Sequence, residues 1–106
     1  MKIGLIGGSG LSDDNFFEEA VIITTKYGSP SSRVFKGVIN NHEIFYIKRH
    51  GGGHIYTPTN VPYRANIKAL QDLGCEKIIA VTAVGSLRQE IEPGHLVFPD
   101  QFIDMT

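Results

Sequence analysis

The hydrophobic positions of this chain fall into short runs that are separated by glycine-rich and polar segments. Lys2–Gly7 is an apolar run that ends in glycines, which is typical of a buried parallel strand. Arg33–Ile39 and His42–Lys48 predict two further strands, and the pair Asn40-Asn41 between them tolerates the positive φ of a two-residue hairpin turn. Residues 16–26 do not predict one type of secondary structure, since the first part of the segment is ambiguous and the rest is rich in β-branched side chains.

The middle of the chain predicts one amphipathic helix, from about Asn60 to Leu73. Asn60 can cap it, Pro62 falls in its first turn, and Gly74 supplies its C-terminal stop. The apolar face is expected to contain Tyr63, Ile67 and Leu70, with Ala69 and Leu73 beside them.

A second set of strands follows the helix. Lys77–Thr82 predicts a buried strand, and His95–Pro99 predicts a last short one after the turn at Pro93-Gly94. Strands, a hairpin and a helix in this order indicate an α/β fold. In such folds ligands collect at the carboxyl ends of strands, so the loops after the strands are the expected functional sites.

Composition narrows the class of protein. The chain has 106 residues, of which 42% are hydrophobic and 20% charged, as expected for a single globular, soluble domain. Its net charge of −1 gives no long-range attraction to nucleic acid or to a membrane, and neither is an expected partner. The start does not resemble a signal peptide, and Cys75 is the only cysteine, so a cytoplasmic location is expected.

The loop after the first strand reads Gly7-Gly8-Ser9-Gly10. Glycines let the backbone approach an anion, and the Ser9 hydroxyl adds a hydrogen-bond donor. The segment lacks the third glycine of a dinucleotide fingerprint and the Gly-Lys-Ser/Thr of a P-loop. A plain strand-to-turn bend without a ligand remains an alternative.

Two later loops add a cation and further donors. Arg49 offers a planar guanidinium for bidentate contact with an oxyanion, and the adjacent His50 can donate to the same group. Thr82 can supply a hydroxyl, with backbone N–H groups around Ala83. Taken singly, Arg49 could be a solvated loop residue and Thr82 an ordinary strand residue. Taken together, the three loops favour a site for one small oxyanion.

Other reactive residue types carry less weight. His50 and His54 are too few ligands for a metal centre, so no metal site is expected. Cys75 is interpreted as a small packing residue, and Arg64 and Lys68 as a solvated helix face.

The order of these segments and their amino-acid sequences resemble those of the purine nucleoside phosphorylase family, in its 5′-methylthioadenosine phosphorylase branch. The matching segments, which span nearly the whole chain, are Ile6-Gly7-Gly8-Ser9-Gly10-Leu11, Arg49-His50-Gly51 with His54, Tyr63-Arg64-Ala65-Asn66-Ile67, Thr82-Ala83-Val84-Gly85-Ser86-Leu87 and Asp100-Gln101-Phe102-Ile103-Asp104.

The resemblance implies a fold, a reaction and a site. The fold is a mixed β-sheet, partly closed into a barrel and flanked by helices. The reaction is phosphorolysis of a purine nucleoside, in this branch 5′-methylthioadenosine, to free purine and the 5-methylthio sugar 1-phosphate. Inorganic phosphate is then a co-substrate and no cofactor is needed. The implied phosphate-binding residues are Ser9, Arg49, His50, Thr82 and Ala83.

Family members run well beyond the length of this chain. The resemblance therefore implies that residues 1–106 are the N-terminal, phosphate-binding part of one domain, with a C-terminal remainder that supplies the purine contacts. We expect no catalytic residue in this chain, no activity from it alone, and a homotrimer or hexamer for the whole enzyme. Alternatives are a 6-oxopurine nucleoside or methylthioinosine phosphorylase, a nucleoside hydrolase, and a non-catalytic fragment or assembly module.

Overall fold

The computed structural model describes residues 1–8 and 17–105. Within that part the elements are β1 (Lys2–Gly7), β2 (Glu19–Val21), β3 (Val34–Ile39), β4 (His42–Lys48), α1 (Tyr63–Asp72) and β5 (Lys77–Val81). The strands form one mixed sheet in the order β2-β3-β4-β1-β5. β1 is parallel to both β4 and β5, whereas β2, β3 and β4 are antiparallel neighbours. The expected mixed α/β architecture is confirmed.

The hairpin between β3 and β4 forms where the sequence places it. Asn40 and Asn41 adopt φ angles of 48° and 67°, the left-handed conformation that a type I′ turn requires at both central positions. Asparagine tolerates this conformation better than a β-branched residue does. The turn pairs Ile39 with His42 and thereby sets the register of the antiparallel ladder.

The core lies between the sheet and α1. Phe45 and Ile47 of β4 face α1, where they cluster with the buried Ala69 and Leu70. On the opposite face of β4, Tyr46 stacks on Phe17, with ring centroids 5.2 Å apart. Both faces of β4 are therefore covered, which explains its nearly continuous apolar sequence.

The C-terminus of α1 is a Schellman motif. Gly74 adopts φ +86°, its N–H donates to the Gln71 carbonyl, and the Cys75 N–H donates to the Leu70 carbonyl. The expected glycine stop is confirmed. The N-terminus differs from the prediction, because Pro62 occupies the N-cap position without a side-chain cap. Asn60 instead closes a preceding turn through its N–H to Thr57, so the prediction that Asn60 caps the helix is wrong.

The buried face of α1 is rotated from the predicted one. It consists of Ala65, Asn66, Ala69 and Leu70, whereas Tyr63 and Ile67 are 52% and 48% exposed. Small alanine side chains let the helix approach the sheet closely. The prediction is therefore confirmed for Ala69 and Leu70 and wrong for Tyr63 and Ile67.

The segment after β5 forms no strand in the structure. His95–Pro99 makes no ladder, and Phe98 is 88% exposed, so the prediction of a last strand there is wrong. Apolar character alone does not make a strand, because the backbone also needs a hydrogen-bonded neighbour. β5 itself ends at Val81, one residue earlier than predicted, and the prediction that it is buried is wrong, since four of its five residues are exposed. No helix in residues 1–8 and 17–105 has the length and apolar character that crossing a bilayer requires.

Gly4 and Leu70 provide a test of the packing between sheet and helix. A Cβ on Gly4 would lie 2.7 Å from Cδ1 of the fully buried Leu70. Gly4→Ala should cost about 1–3 kcal/mol by overpacking, and Leu70→Ala about 2–5 kcal/mol by leaving a cavity. The double variant should lose less than the sum, because the new methyl group fills part of the cavity. Urea denaturation of the three variants measures this coupling.

Gly85 supplies the matched control, since a Cβ there would meet no atom within 4 Å. Gly85→Ala combined with Leu70→Ala should be additive. Additive costs for the Gly4 and Leu70 pair would show that the two residues do not share this contact.

Candidate anion site

The sheet register brings three loops to one edge. Gly7, the last residue of β1, pairs with Lys48 of β4 on one side and with Val81 of β5 on the other. These are also the last residues of their strands. Since all three strands are parallel, the loops that follow begin side by side. The Arg49 N–H continues the ladder by donating to the Gly7 carbonyl at 2.9 Å.

The Arg49 side chain lies across this edge. Its Nη1 donates to the Val81 carbonyl at 3.0 Å, and Nη2 lies 3.4 Å from Oγ1 of Thr82. A Cβ on Gly8 would collide with Nη2, so the absence of a side chain there makes room for the guanidinium. The loops after β1, β4 and β5 thus meet around one arginine.

The charge of Arg49 is not neutralised by a carboxylate of residues 1–8 or 17–105. The ion pairs in this part of the chain are Lys36–Glu43, Lys68–Asp72 and Arg88–Glu90, all away from the strand ends. A half-buried guanidinium that retains unused N–H donors attracts an anion with planar or tetrahedral oxygens.

His50 is oriented by a backbone carbonyl. Its Nδ1 lies 3.0 Å from the Tyr56 oxygen, and since a carbonyl only accepts, Nδ1 carries the proton of this hydrogen bond. Nε2 is then the nitrogen available to a ligand. The exposed ring of His54 stacks on His50 with centroids 5.6 Å apart, and His54 adopts φ +54°.

Of the other predicted site residues, the structure describes Thr82 and Ala83. Thr82 is exposed next to the guanidinium, and Ala83 is exposed immediately after it. Ser9 lies outside the described residues. Cys75 packs half-buried against the core, and burial raises the pKa of its thiol. A raised pKa makes the thiol a poorer nucleophile, which agrees with its interpretation as a packing residue.

The sequence patterns did not predict a polar cluster of Asn66 and Ser31 next to the arginine loop, the segment that begins at Arg49. Asn66 of α1 binds Ser31 through two hydrogen bonds, and the Ser31 hydroxyl donates to the Lys48 carbonyl at 2.6 Å. The sequence feature that could have indicated this cluster is the polar Asn66 on the same helix face as Ala65 and Ala69. That signal depends on knowing which helix face is buried.

The arrangement is equipped for binding rather than for covalent chemistry. It places a cation and a hydroxyl together at the carboxyl end of a parallel sheet. Such a set holds a small oxyanion in a defined orientation.

Comparisons with known proteins agree with the fold and define the family. Residues 2–106 match the model of the phosphorylase superfamily, and the chain belongs to this family. It is similar to S-methyl-5′-thioadenosine phosphorylase from Pyrobaculum aerophilum, with 52% identity over 99% of this chain, and to the enzyme of that name from Drosophila melanogaster, with 50% identity over 100% of it.

A solved structure shows the same architecture. The adenine complex of methylthioadenosine phosphorylase from Schistosoma mansoni superposes with a TM-score of 0.81 and 42% identity over 89% of this chain. The chain spans 38% and 37% of the length of the two relatives, and 33% of the Schistosoma mansoni chain.

Gly8→Ala tests whether the missing side chain keeps the guanidinium in place. The added methyl group should displace Arg49 from the Val81 carbonyl and from Thr82, since the guanidinium is the flexible partner of the collision. Stability should fall by about 1 kcal/mol, the net value of a typical hydrogen bond. The ¹⁵N NMR resonance of Arg49 Nε should shift, whereas Gly85→Ala should leave it unchanged. An unaltered Arg49 resonance in Gly8→Ala would contradict the proposed fit.

Proposed function

We propose that this protein takes part in the phosphorolysis of a purine nucleoside, 5′-methylthioadenosine, to free purine and 5-methylthioribose 1-phosphate, and that residues 1–106 supply its phosphate site. The observation that carries the proposal is the Arg49 guanidinium held across the ends of three parallel strands beside Thr82. The names of the relatives and the adenine bound to the Schistosoma mansoni enzyme support the choice of substrate.

The proposed phosphate site comprises Ser9, Arg49, His50, Thr82 and Ala83. Arg49 provides the positive charge and two parallel N–H donors, which match two oxygens of a phosphate. Thr82 adds a hydroxyl and Ala83 a backbone N–H. His50 presents Nε2 toward a ligand, because Nδ1 is engaged by Tyr56. The Ser9 hydroxyl completes the set from the loop after β1.

The chemistry follows from the position of the bound phosphate. As the glycosidic C–N bond breaks, positive charge develops on the sugar, and an anion on the opposite face stabilises it. A phosphate oxygen then forms the new bond to the anomeric carbon. The purine leaves with the electron pair of the C–N bond, and the proton that hydrogen phosphate gives up ends on the purine. The residues of this chain position the nucleophile, and no cofactor or covalent intermediate is required.

For the whole protein we propose a cytoplasmic homotrimer or a hexamer that acts in purine and methionine salvage. Exposed apolar side chains in the segment after β5 form a surface that the C-terminal remainder of the domain would cover, because soluble domains rarely expose so many together. They are Val84, Leu87, Leu96, Phe98, Phe102, Ile103 and Met105.

Hydrolysis of the same nucleoside is the competing function. A water nucleophile needs no cationic cradle, so Arg49 favours phosphorolysis. Purine release from 5′-methylthioadenosine by the intact protein should therefore depend on inorganic phosphate. Equal rates with and without phosphate would establish the hydrolase instead.

Arg49→Ala should weaken phosphate strongly while leaving nucleoside binding nearly intact. Charge-assisted hydrogen bonds are worth about 1.5–3 kcal/mol each, which corresponds to roughly 10- to 150-fold in affinity. Part of the loss should appear in kcat, since the phosphate charge stabilises the cationic sugar. Arg49→Lys should recover only a portion, because an ammonium keeps the charge but not the planar fork. The measurement is the phosphate dependence of the rate for each variant.

Arg64 is the matched control, an exposed arginine on α1. Arg64→Ala should keep the parental phosphate dependence. If Arg64→Ala lost that dependence and Arg49→Ala kept it, the assignment of the phosphate site to the strand ends would be wrong.

A further inference from the structure

Helix α1 is linked to the anion site by a buried side-chain amide. Asn66 is only 1% exposed and points its amide at Ser31, in the loop before β3. Its Oδ1 accepts from the Ser31 N–H at 2.8 Å, and its Nδ2 donates to the Ser31 hydroxyl at 3.1 Å. A buried amide with both ends satisfied by one residue holds that residue in a single conformation.

Ser31 in turn contacts both sides of the Arg49-His50 pair. Its hydroxyl donates to the carbonyl of Lys48, the residue before Arg49, at 2.6 Å. Its own carbonyl lies against Gly51, the residue after His50, where a Cβ would be 2.8 Å from the oxygen. Gly51 also adopts φ +79°, so the chain turns sharply against Ser31 at this point.

The directions of these hydrogen bonds are mutually determined. A serine hydroxyl has one proton, and here that proton goes to the Lys48 carbonyl. The hydroxyl must therefore accept from Asn66, which fixes the amide with Nδ2 toward Oγ and Oδ1 toward the backbone N–H. The Lys48 N–H is held by the neighbouring Ser32 hydroxyl at 2.9 Å. The N–H and the carbonyl of Lys48 are thus bound by the hydroxyls of Ser32 and Ser31, respectively.

We propose that Asn66 and Ser31 are positioning residues for the anion site, which they hold through the backbone on either side of Arg49-His50. This inference rests on the proposed phosphate site. Neither side chain binds the phosphate itself in this proposal. Their role is to hold the backbone around Arg49-His50 in one conformation relative to α1. The guanidinium and His50 are then already in position when the anion binds.

The test uses Ser31→Ala and Asn66→Ala in the intact protein, with inorganic phosphate as the probe. Each variant should bind phosphate about tenfold more weakly by calorimetry, a factor within the range expected for the loss of one or two net hydrogen bonds. The KM for phosphate should rise by a similar factor, with the KM for the nucleoside nearly unchanged. The ¹⁵N resonance of Arg49 Nε should shift or broaden even without phosphate. Ser31→Ala keeps the backbone bond to Asn66, so it decides the question if Asn66→Ala does not fold.

Leu70→Val is the matched control, a core change one turn further along the same helix. It should lower the melting temperature without altering phosphate binding or the Arg49 resonance. An equal loss of phosphate affinity in Leu70→Val, or parental affinity in Ser31→Ala, overturns the positioning role. A parent protein that binds no phosphate, yet whose Arg49 resonance responds to Ser31→Ala, would instead overturn the proposed function while preserving the mechanical link.

Discussion

The parallel pairing of β1 with β4 and β5 is the constraint on which the candidate site depends. Because Gly7 is opposite Lys48 on one side and Val81 on the other, three chain segments that are far apart in sequence leave the sheet at one level. A shift of one residue in either ladder would reverse the faces of that strand and move Arg49 away from the Val81 carbonyl. The apolar core between the sheet and α1 stabilises this register, so packing and site geometry are not separable here.

The position of Arg49 depends on the space around its side chain as well as on its hydrogen bonds. Gly8, the residue after β1, leaves room for the guanidinium, and Gly4 within β1 leaves room for Leu70. Two glycines thus allow two different close approaches, one by a cation just beyond the end of β1 and one by the helix against the middle of the strand. Among the described residues the Arg49 guanidinium contacts a backbone carbonyl and a hydroxyl, and the role proposed for its charge is to bind an external anion.

Much of the fold could be predicted from local patterns. The bounds of β1 and β4, the Asn40-Asn41 turn and the glycine stop at Gly74 follow from apolar runs and from backbone conformations that few residues adopt. The failures have physical causes that a local pattern does not contain. His95–Pro99 is apolar but has no neighbouring strand among the described residues, and the contact face of α1 contains Ala65 and Asn66 whereas Tyr63 and Ile67 are exposed.

The sequence by itself determined the chemistry of the site. Only arginine offers a planar, permanently charged fork. Arg49 and His50 follow the predicted strand His42–Lys48, and Thr82 ends the predicted strand Lys77–Thr82. Tertiary structure alone decided how these residues meet. Strand order and register are long-range properties, so they bring Arg49 to Thr82 and engage Asn66 with Ser31 across 35 positions of sequence. The identity of a side chain determines which hydrogen bonds it can make, whereas the packing of the whole domain determines which partner it meets.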